Sequence, residues 1–451
     1  MLDPVFAFLA FTSGSLEGAI IRDMRLANAL HRRGWRVVVY WMMERNAELV
    51  DRGIPQRMLC GGLRYQFKRP SALMDWLGGA VRLLPPATRR TFVQRHPAYV
   101  DRLMTNCCRS ICDGGQSDPA LVRRLLRLMR KDGVTHLLPT FAMICPFALA
   151  AKERRTHSFD YLVTFQGEEL FANYAQRLGR LDEYHQRLRE VVRGSPWPAI
   201  AVSADYARRL TAEMGIDAAR LTVIPPGIEM PTRDRPPFEA LRRKFPQLRP
   251  DRPFVTYLGR QDSEKGIDLL LYAVKMLREQ GIDLDLVVCG GTSFGERYRD
   301  VLMQMSQHLR LGTYHRRRVP DEVRDALYAH SRCIVYPSIH REPFGLVAAE
   351  AMSHGTPVLV PNYGGVAEVV EVGGRRGGLT FNVWDSGDLA RQLRRLVCDD
   401  DLHRELSANA RQVAANFTVD RMADRVLELL GLPPRPEPTR APASAAEAAR
   451  T

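Results

Sequence analysis

Two stretches of the chain alternate continuous apolar segments with segments whose apolar residues recur at helical spacing. In the first stretch, the apolar residues 5–11 predict a buried strand. From Ile20 to Leu30 apolar residues recur every three or four positions, which predicts an amphipathic helix. Gly34 is expected to end this helix, and residues 35–40 predict the next strand.

The second stretch follows a proline-rich passage, residues 225–250, which predicts an interdomain linker with one short helix. The predicted strands beyond it are residues 254–258, 284–289, 333–336 and 357–360. One helix is predicted to begin after Gly266, and another to cover residues 344–353. This alternation is typical of parallel α/β domains. Because 451 residues exceed the size at which a single core stops growing, we expect two domains.

Composition narrows the class of protein. The formal net charge of +14 favours anionic partners, namely nucleotide phosphates, nucleic acid or an acidic membrane surface, unless the arginines are simply spread over solvated helices. No signature of a nucleic-acid module is present, so we expect no nucleic-acid partner. Residues 71–110 hold six arginines against two aspartates. They predict either a helical cap on the first domain or an amphipathic element that meets anionic lipid.

Targeting and redox features indicate a cytoplasmic protein. No window of about 18 uncharged apolar residues occurs, and the apolar residues 5–11 lack a basic flank, so we expect neither a transmembrane helix nor a signal peptide. The eight cysteines, including Cys107, Cys108, Cys112 and Cys145, show no metal-ligand spacing. We interpret them as reduced thiols.

The most informative motif is the run HREPFGLVAAEAM at residues 340–352. Glu342 is expected on a loop and Glu350 within the following helix, about two helical turns further on. Both carboxylates can therefore border one ligand. The free amides of Phe344, Gly345 and Leu346 at the start of the helix would bind phosphate.

This run resembles the E-x7-E signature of the retaining glycosyltransferases classed as family four, which also contains E-P-F-G. The resemblance implies that Glu350 accepts hydrogen bonds from the donor ribose and that Glu342 lies beside the transferred sugar. The run YLGRQDSEKG at residues 257–266 fits the same family and implies that Arg260 and Lys265 clamp the diphosphate. Two fixed cations would stabilise the negative charge that builds up as a nucleoside diphosphate departs.

Further similarity extends the match to roughly residues 4–430. Residues 17–30 resemble the glycine-rich first loop and helix of the family, and residues 201–229, 336–338 and 364–368 also fit it. By the same resemblance, Gly18 and Gly259 line the donor site.

One position departs from the family pattern. Where relatives often carry a histidine in the first domain, this chain has Gln166, followed by Gly167 and Glu168. Glutamine can hydrogen-bond a sugar hydroxyl but cannot act as an acid or base near neutral pH. Gln166 is thus expected either to contact a sugar or to order its loop, and Glu168 either to face the cleft or to lie on the surface.

The resemblance implies the GT-B architecture, an α/β fold in which two Rossmann-like domains face each other across a cleft. The acceptor domain would cover residues 1–235, with a basic helical insertion at about 65–130, and the donor domain residues 250–415. A helix at 416–431 would cross back to the first domain, and the Pro- and Ala-rich residues 432–451 would be disordered.

The expected reaction is transfer of a sugar, with retention of configuration, from a UDP-, GDP- or ADP-sugar to a glycan, lipid-linked or polysaccharide acceptor. Cell-envelope or exopolysaccharide synthesis, in the cytoplasm or peripherally at the inner face of the membrane, is the expected setting. No cofactor and no metal are expected, since no histidine has metal-ligand spacing and the cations with the helix amides neutralise the diphosphate. A nucleotide-sugar 2-epimerase of the same fold and a non-catalytic sugar-nucleotide binding protein remain the alternatives.

Overall fold

The architecture consists of parallel sheets covered by helices. A computed structural model describes residues 3–11, 18–42, 45–59, 97–114, 119–167, 169–231, 235–292 and 296–435. Its strands are β1 (Val5–Ala10), β2 (Arg36–Trp41), β3 (Gln56–Met58), β4 (His136–Pro139), β5 (Asp160–Tyr161), β6 (Thr164–Phe165), β7 (Ala199–Ala201), β8 (Leu221–Val223), β9 (Phe254–Leu258), β10 (Asp285–Cys289), β11 (Thr313–Arg316), β12 (Ile334–Val335), β13 (Val358–Pro361), β14 (Glu371–Val372), β15 (Arg375–Arg376) and β16 (Gly378–Phe381).

The α-helices of the described residues are as follows: α1 (Gly18–Arg32), α2 (Pro97–Cys112), α3 (Pro119–Asp132), α4 (Cys145–Glu153), α5 (Glu169–Arg177), α6 (Leu181–Gly194), α7 (Ala204–Met214), α8 (Glu239–Arg242), α9 (Ile267–Glu279), α10 (Arg297–His308), α11 (Asp321–His330), α12 (Leu346–Ser353), α13 (Gly365–Val369), α14 (Ser386–Cys398), α15 (Asp400–Ala414) and α16 (Val419–Leu429). Among these residues, no helix combines the length and the apolar character needed to cross a bilayer.

The first domain contains a five-stranded parallel sheet in the order β3-β2-β1-β4-β5 and a three-stranded parallel sheet in the order β6-β7-β8. Strand β1 is buried along its whole length, which explains why its sequence is a continuous apolar run. The two sheets are linked through consecutive residues, since the Leu162 amide donates to Leu137 O at 3.0 Å and Val163 O accepts from the Ile200 amide at 2.9 Å.

The second domain is a six-stranded parallel sheet in the order β11-β10-β9-β12-β13-β16. This is the doubly wound order. From β9 the chain adds β10 and β11 on one side, and it then returns to add β12, β13 and β16 on the other side, so the switch point lies between the adjacent strands β9 and β12. Ligands in such sheets bind beyond the carboxyl ends of the strands at this switch point. The loop after β9 carries the predicted residues Gly259, Arg260 and Lys265, and the loop after β12 carries Glu342, Phe344 and Gly345.

The helix predicted over residues 344–353 begins later, at Leu346, so the predicted start of this helix was wrong. Gly345 precedes the helix with a φ of +95°, a left-handed conformation that is incompatible with the first turn of an α-helix. Phe344 therefore lies on the loop. The strand predicted over residues 254–258 matches β9, and the other predicted strands differ from the observed ones by one residue at one or both ends.

The described part of the basic insertion is helical and packed. Cys108, Ile111 and Cys112 of α2 are buried, and α2 packs against α5 and α6. This part of the insertion therefore packs on the first domain. The membrane-binding alternative was based partly on residues 71–96, which lie outside the described residues. Residues 436–451 of the predicted disordered tail also lie outside them.

The chain returns to the first domain at its end. Helix α16 packs against α1, and Arg33 forms ion pairs with Asp420 at 2.8 Å and Asp424 at 2.5 Å. Just before α16, the Ile228 amide donates to Phe417 O at 2.7 Å and the Val419 amide donates to Ile228 O at 3.1 Å. The end of the chain and the linker between the domains are thus one packed unit.

Gly227 in the linker leads to a stability prediction. A Cβ atom at this position would lie 2.5 Å from Val419 Cα and 3.1 Å from Met422 Cε, too close to the backbone of α16. We expect Gly227→Ala to lower the free energy of unfolding by about 1–3 kcal/mol, as overpacking does. Chemical denaturation measures the change. Gly291→Ala, where no neighbour lies within 4 Å, is the matched control, and an equal effect of both substitutions would refute the assignment.

Candidate active site

Glu342 and Lys265 meet in a buried ion pair at the switch point of the second sheet. Lys265 Nζ contacts Glu342 Oε1, and both residues are at least nine-tenths buried. The Ser338 hydroxyl donates to the same carboxylate oxygen at 2.9 Å. Lys265 lies on the connection after β9 and Glu342 on the connection after β12, and these two strands are neighbours.

The local backbone explains how the two loops approach each other. Lys265 ends the 3-10 turn Ser263–Lys265, and Gly266 follows with a φ of +59°. A Cβ atom on Gly266 would collide with the Pro337 carbonyl oxygen of the other loop. A glycine is therefore required at this position both for its conformation and for the close approach.

Electrostatics keep the Glu342 carboxylate charged. Burial by itself would raise the pKa of Glu342, but the charge and hydrogen bond of Lys265, together with the Ser338 hydroxyl, hold that pKa below its ordinary value. The carboxylate is therefore ionised at neutral pH. The site presents a fixed carboxylate and a fixed ammonium group side by side.

Arg260 lies close by but is held by carboxylates. Its guanidinium donates to Asp262 at 2.7 Å and to Glu264 at 2.6 Å, and both neighbours raise its pKa despite the burial of the group. Glu264 also lies 3.8 Å from Lys265 Nζ, so it bridges the two predicted cations. Sequence reasoning missed Asp262, Glu264 and Ser338, although the first two stand in the matched run.

The first residues of two helices, α1 and α12, lie close together, and α12 begins four residues after Glu342. Gly18 begins α1, and a Cβ atom there would lie 3.4 Å from Leu346 Cδ1 at the start of α12. Phe344 is buried against Phe417 with ring centroids 5.4 Å apart, which fixes the loop before α12. Amides at helix N-termini attract anions, so this arrangement suits a phosphate group.

Glu350 contacts both domains. Its Oε1 accepts from Arg25 of α1 at 2.7 Å, and its Oε2 accepts from the Tyr328 hydroxyl of α11 at 2.9 Å. The side chain keeps 18% of its surface exposed. Arg25 and Tyr328 were not predicted. Arg25 lies in the helix that resembles the family, but nothing in the sequence distinguishes it from the other polar residues there, and Tyr328 lies outside the matched runs.

Gln166 follows β6 in the first domain, and its amide nitrogen is fully used. It donates to Asp23 Oδ1 at 3.2 Å and to the Thr140 carbonyl at 2.7 Å. Asp23 is buried beside Arg22 at 2.8 Å, and burial raises its pKa. The sequence signal that could have revealed this cluster is the pair of polar residues Arg22 and Asp23, which stand between the apolar residues Ile20 and Met24. Glu168 lies outside the described residues.

Polar contacts also join the domains on the far side of the Glu342 loop. Arg341 forms an ion pair with Asp205, with Nε to Oδ2 at 3.0 Å. Glu368 accepts the backbone amides of Ala204 at 2.8 Å and Asp205 at 2.6 Å, so it caps α7 of the other domain. Within the described ranges, no group of three or more His, Cys, Asp or Glu side chains is arranged to hold a metal.

Solved structures share this fold along nearly the whole chain. The Anabaena protein HepE in complex with UDP and glucose superposes with a TM-score of 0.68 at 17% identity, covering 94% of this chain and 99% of that protein. Sucrose-phosphate synthase from Thermosynechococcus elongatus superposes with a TM-score of 0.69 at 20% identity, covering 95% and 98%. The chain has the GT-B fold, with two Rossmann-like domains.

Within the second domain, residues 239–413 match the family model described as glycosyl transferases group 1. A D-inositol 3-phosphate glycosyltransferase from Nocardia farcinica is 33% identical over 235 residues, which is 51% of each chain. The chain spans about half the length of the curated relatives it matches.

The buried pair leads to a pH-dependent prediction. Lys265→Met leaves the Glu342 carboxylate without its cation, so we expect a loss of about 3–5 kcal/mol in the free energy of unfolding at pH 7. The lowered pKa of Glu342 means that its stabilising contribution is present above about pH 4.5 and is lost as the pH falls through the folded pKa. The difference between wild type and variant should therefore shrink below that pH.

Denaturation curves at pH 7 and at about pH 4 check this expectation. Lys275→Met is the control, because Lys275 pairs with Glu279 on the exposed side of α9 and should change stability by less than about 0.5 kcal/mol. A loss for Lys265→Met that is the same at both pH values would show that the charge of Glu342 is not responsible.

Proposed function

We propose that the chain is a glycosyltransferase that transfers a sugar from a nucleotide-diphosphate sugar to an acceptor hydroxyl. The observation that carries this proposal is the buried Lys265–Glu342 ion pair close to the N-termini of α1 and α12, within the residues that match the model of group 1 glycosyl transferases. This arrangement combines groups that bind anions with a fixed carboxylate that can hold a sugar.

The donor is proposed to lie mainly on the second domain. Glu350 accepts hydrogen bonds from the ribose hydroxyls, and the amides at Phe344, Gly345 and Leu346 bind the phosphates. Gly18 and Gly259 line the same space. HepE, solved with UDP, supports a nucleoside diphosphate as the ligand, and a UDP-, GDP- or ADP-linked sugar is the donor class.

Lys265 and Arg260 are the proposed stabilisers of the leaving group. As the bond between the anomeric carbon and the phosphate oxygen breaks, negative charge builds on the diphosphate. Lys265 would stabilise this charge. Arg260 would exchange Asp262 or Glu264 for the diphosphate. Glu342 would accept hydroxyl hydrogen bonds from the transferred sugar while it remains ionised.

Transfer is proposed to retain the anomeric configuration. The acceptor oxygen bonds to the anomeric carbon on the face that the diphosphate leaves, and the acceptor proton passes to the departing phosphate oxygen. This route needs no basic side chain, which agrees with glutamine rather than histidine at position 166. The acceptor is proposed to be a glycan, a lipid-linked sugar or a polysaccharide.

A donor panel tests the donor pocket directly. We expect one of UDP-, GDP- and ADP-sugars, at about a hundred times its dissociation constant, to add roughly 2.7 kcal/mol of stability to the protein. Glu350→Ala should abolish this gain, while Glu279→Ala on exposed α9 should keep it. Thermal unfolding measures the shift, and product analysis with and without acceptor sugars measures transfer.

The outcomes of this panel separate the alternatives. Stabilisation by no donor would contradict the proposed pocket. Stabilisation without any turnover would indicate a non-catalytic binding protein. Conversion of the nucleotide-sugar in the absence of an acceptor would indicate a 2-epimerase.

Gln166 generates a second test. Because its amide hydrogens bond Asp23 and Thr140, its carbonyl oxygen is the atom left to accept from a sugar hydroxyl. We expect Gln166→Ala to lower kcat/KM for transfer about tenfold, the loss of roughly one hydrogen bond, without changing the affinity for the free nucleoside diphosphate. Gln186→Ala on α6 is the matched control. An unchanged kcat/KM would reduce Gln166 to a residue that orders its loop.

A further inference from the structure

Arg25 connects helix α1 of the first domain to the proposed ribose-binding carboxylate of the second. Its Nη2 donates to Glu350 Oε1 at 2.7 Å, and the two residues are 325 positions apart in the chain. Its Nη1 donates to the Gly227 carbonyl in the linker at 3.1 Å. Each side chain of the pair is 18% exposed, so the ion pair is largely shielded from water.

The other oxygen of Glu350 is held from within the second domain. The Tyr328 hydroxyl donates to Oε2 at 2.9 Å, and Tyr328 is buried. Burial and then the charge of Glu350 raise the pKa of Tyr328, so its hydroxyl stays protonated and remains a donor. Among the described residues, each carboxylate oxygen of Glu350 therefore accepts one bond, and the two donors come from different domains.

This arrangement leaves room for a diol. An ionised carboxylate offers about four acceptor positions, two on each oxygen. With one position on each oxygen occupied, each oxygen keeps one for a ligand hydroxyl. Two neighbouring hydroxyl groups of a ribose match that pattern.

The fixed orientation of Glu350 depends on Arg25. A carboxylate held on one oxygen only can rotate about its side-chain bonds, and a ligand must then restrict that motion on binding. Arg25 is itself fixed by the Gly227 carbonyl, and the linker at Gly227 packs on α16. Its guanidinium therefore presents a defined charge-assisted hydrogen bond to Glu350.

We infer that Arg25 is a positioning residue for the donor site: it orients Glu350 from across the cleft, so the ribose pocket of the second domain is completed by the first. The inference rests on the proposed function, because it takes Glu350 as the ribose partner. It makes donor affinity depend on the arrangement of the two domains.

Calorimetric titration of the full chain with UDP, GDP and ADP tests this inference. For the nucleotide that binds, Arg25→Met should raise the dissociation constant about fivefold, and Arg25→Lys should have an intermediate effect. In a Glu350→Gln background, Arg25→Met should cause little further loss, because the residue acts through the Glu350 carboxylate. Arg32 lies on the same helix as Arg25 and pairs with Asp51. Arg32→Met is therefore the control and should leave affinity unchanged.

A deoxynucleotide separates positioning of Glu350 from a general structural effect. With the 2′,3′-dideoxy form of the same nucleotide, wild type and Arg25→Met should bind equally, since no ribose hydroxyl remains for Glu350 to hold. A penalty that persists with this ligand would assign Arg25 a merely structural role and overturn the inference.

The remaining outcomes are also decisive. If wild type binds no nucleotide, the proposed function fails. If wild type binds and Glu350→Gln weakens binding, but Arg25→Met and Arg25→Lys do not, the inference alone fails. Tighter binding by Arg25→Met would overturn it as well, because Arg25 would then compete with the ribose for Glu350.

Discussion

The buried contact between Lys265 and Glu342 is the interaction on which the candidate site depends. Two charges that are shielded from water are tolerated only when they neutralise each other, so the loops after β9 and β12 must hold a close approach. This requirement explains the glycine at position 266, where any side chain would strike the Pro337 carbonyl. It also explains Ser338, whose hydroxyl satisfies the same carboxylate oxygen. Function and local stability therefore rest on the same atoms.

The two domains are joined by contacts of different physical kinds. Helix α16 packs an apolar face, including Met422 and Val426, against the first domain, and such burial persists in water. Across the cleft the contacts are polar, as in the pairs Arg341–Asp205 and Arg25–Glu350. Charged groups regain hydrogen bonds to water when such a contact separates, whereas apolar surface does not. Opening of the cleft would therefore exchange the polar contacts for water, and the packing of the crossing helix would persist.

Much of the fold was predictable because parallel strands that are buried on both faces appear as continuous apolar runs. Gly34, with a φ of +79°, ends α1 as its position suggested. The start of α12 was not predictable, because the sequence shows neither the left-handed conformation of Gly345 nor the closeness of Val366, with which a Cβ atom on Gly345 would clash. Arg25 was missed for another reason: its partner is more than three hundred residues away, and helical spacing carries no information about such a contact.

The surroundings of Gln166 restrict the chemistry that the first domain can contribute. Its neighbour Asp23 is buried and paired with Arg22, so this carboxylate serves to orient the amide and is shielded from any ligand. Glutamine cannot take up a proton at neutral pH, and its amide hydrogens are already engaged. What remains is an oriented carbonyl that can only accept a hydrogen bond. Gln166 can therefore align a hydroxyl for attack but cannot deprotonate it, which agrees with a reaction in which the proton leaves with the diphosphate.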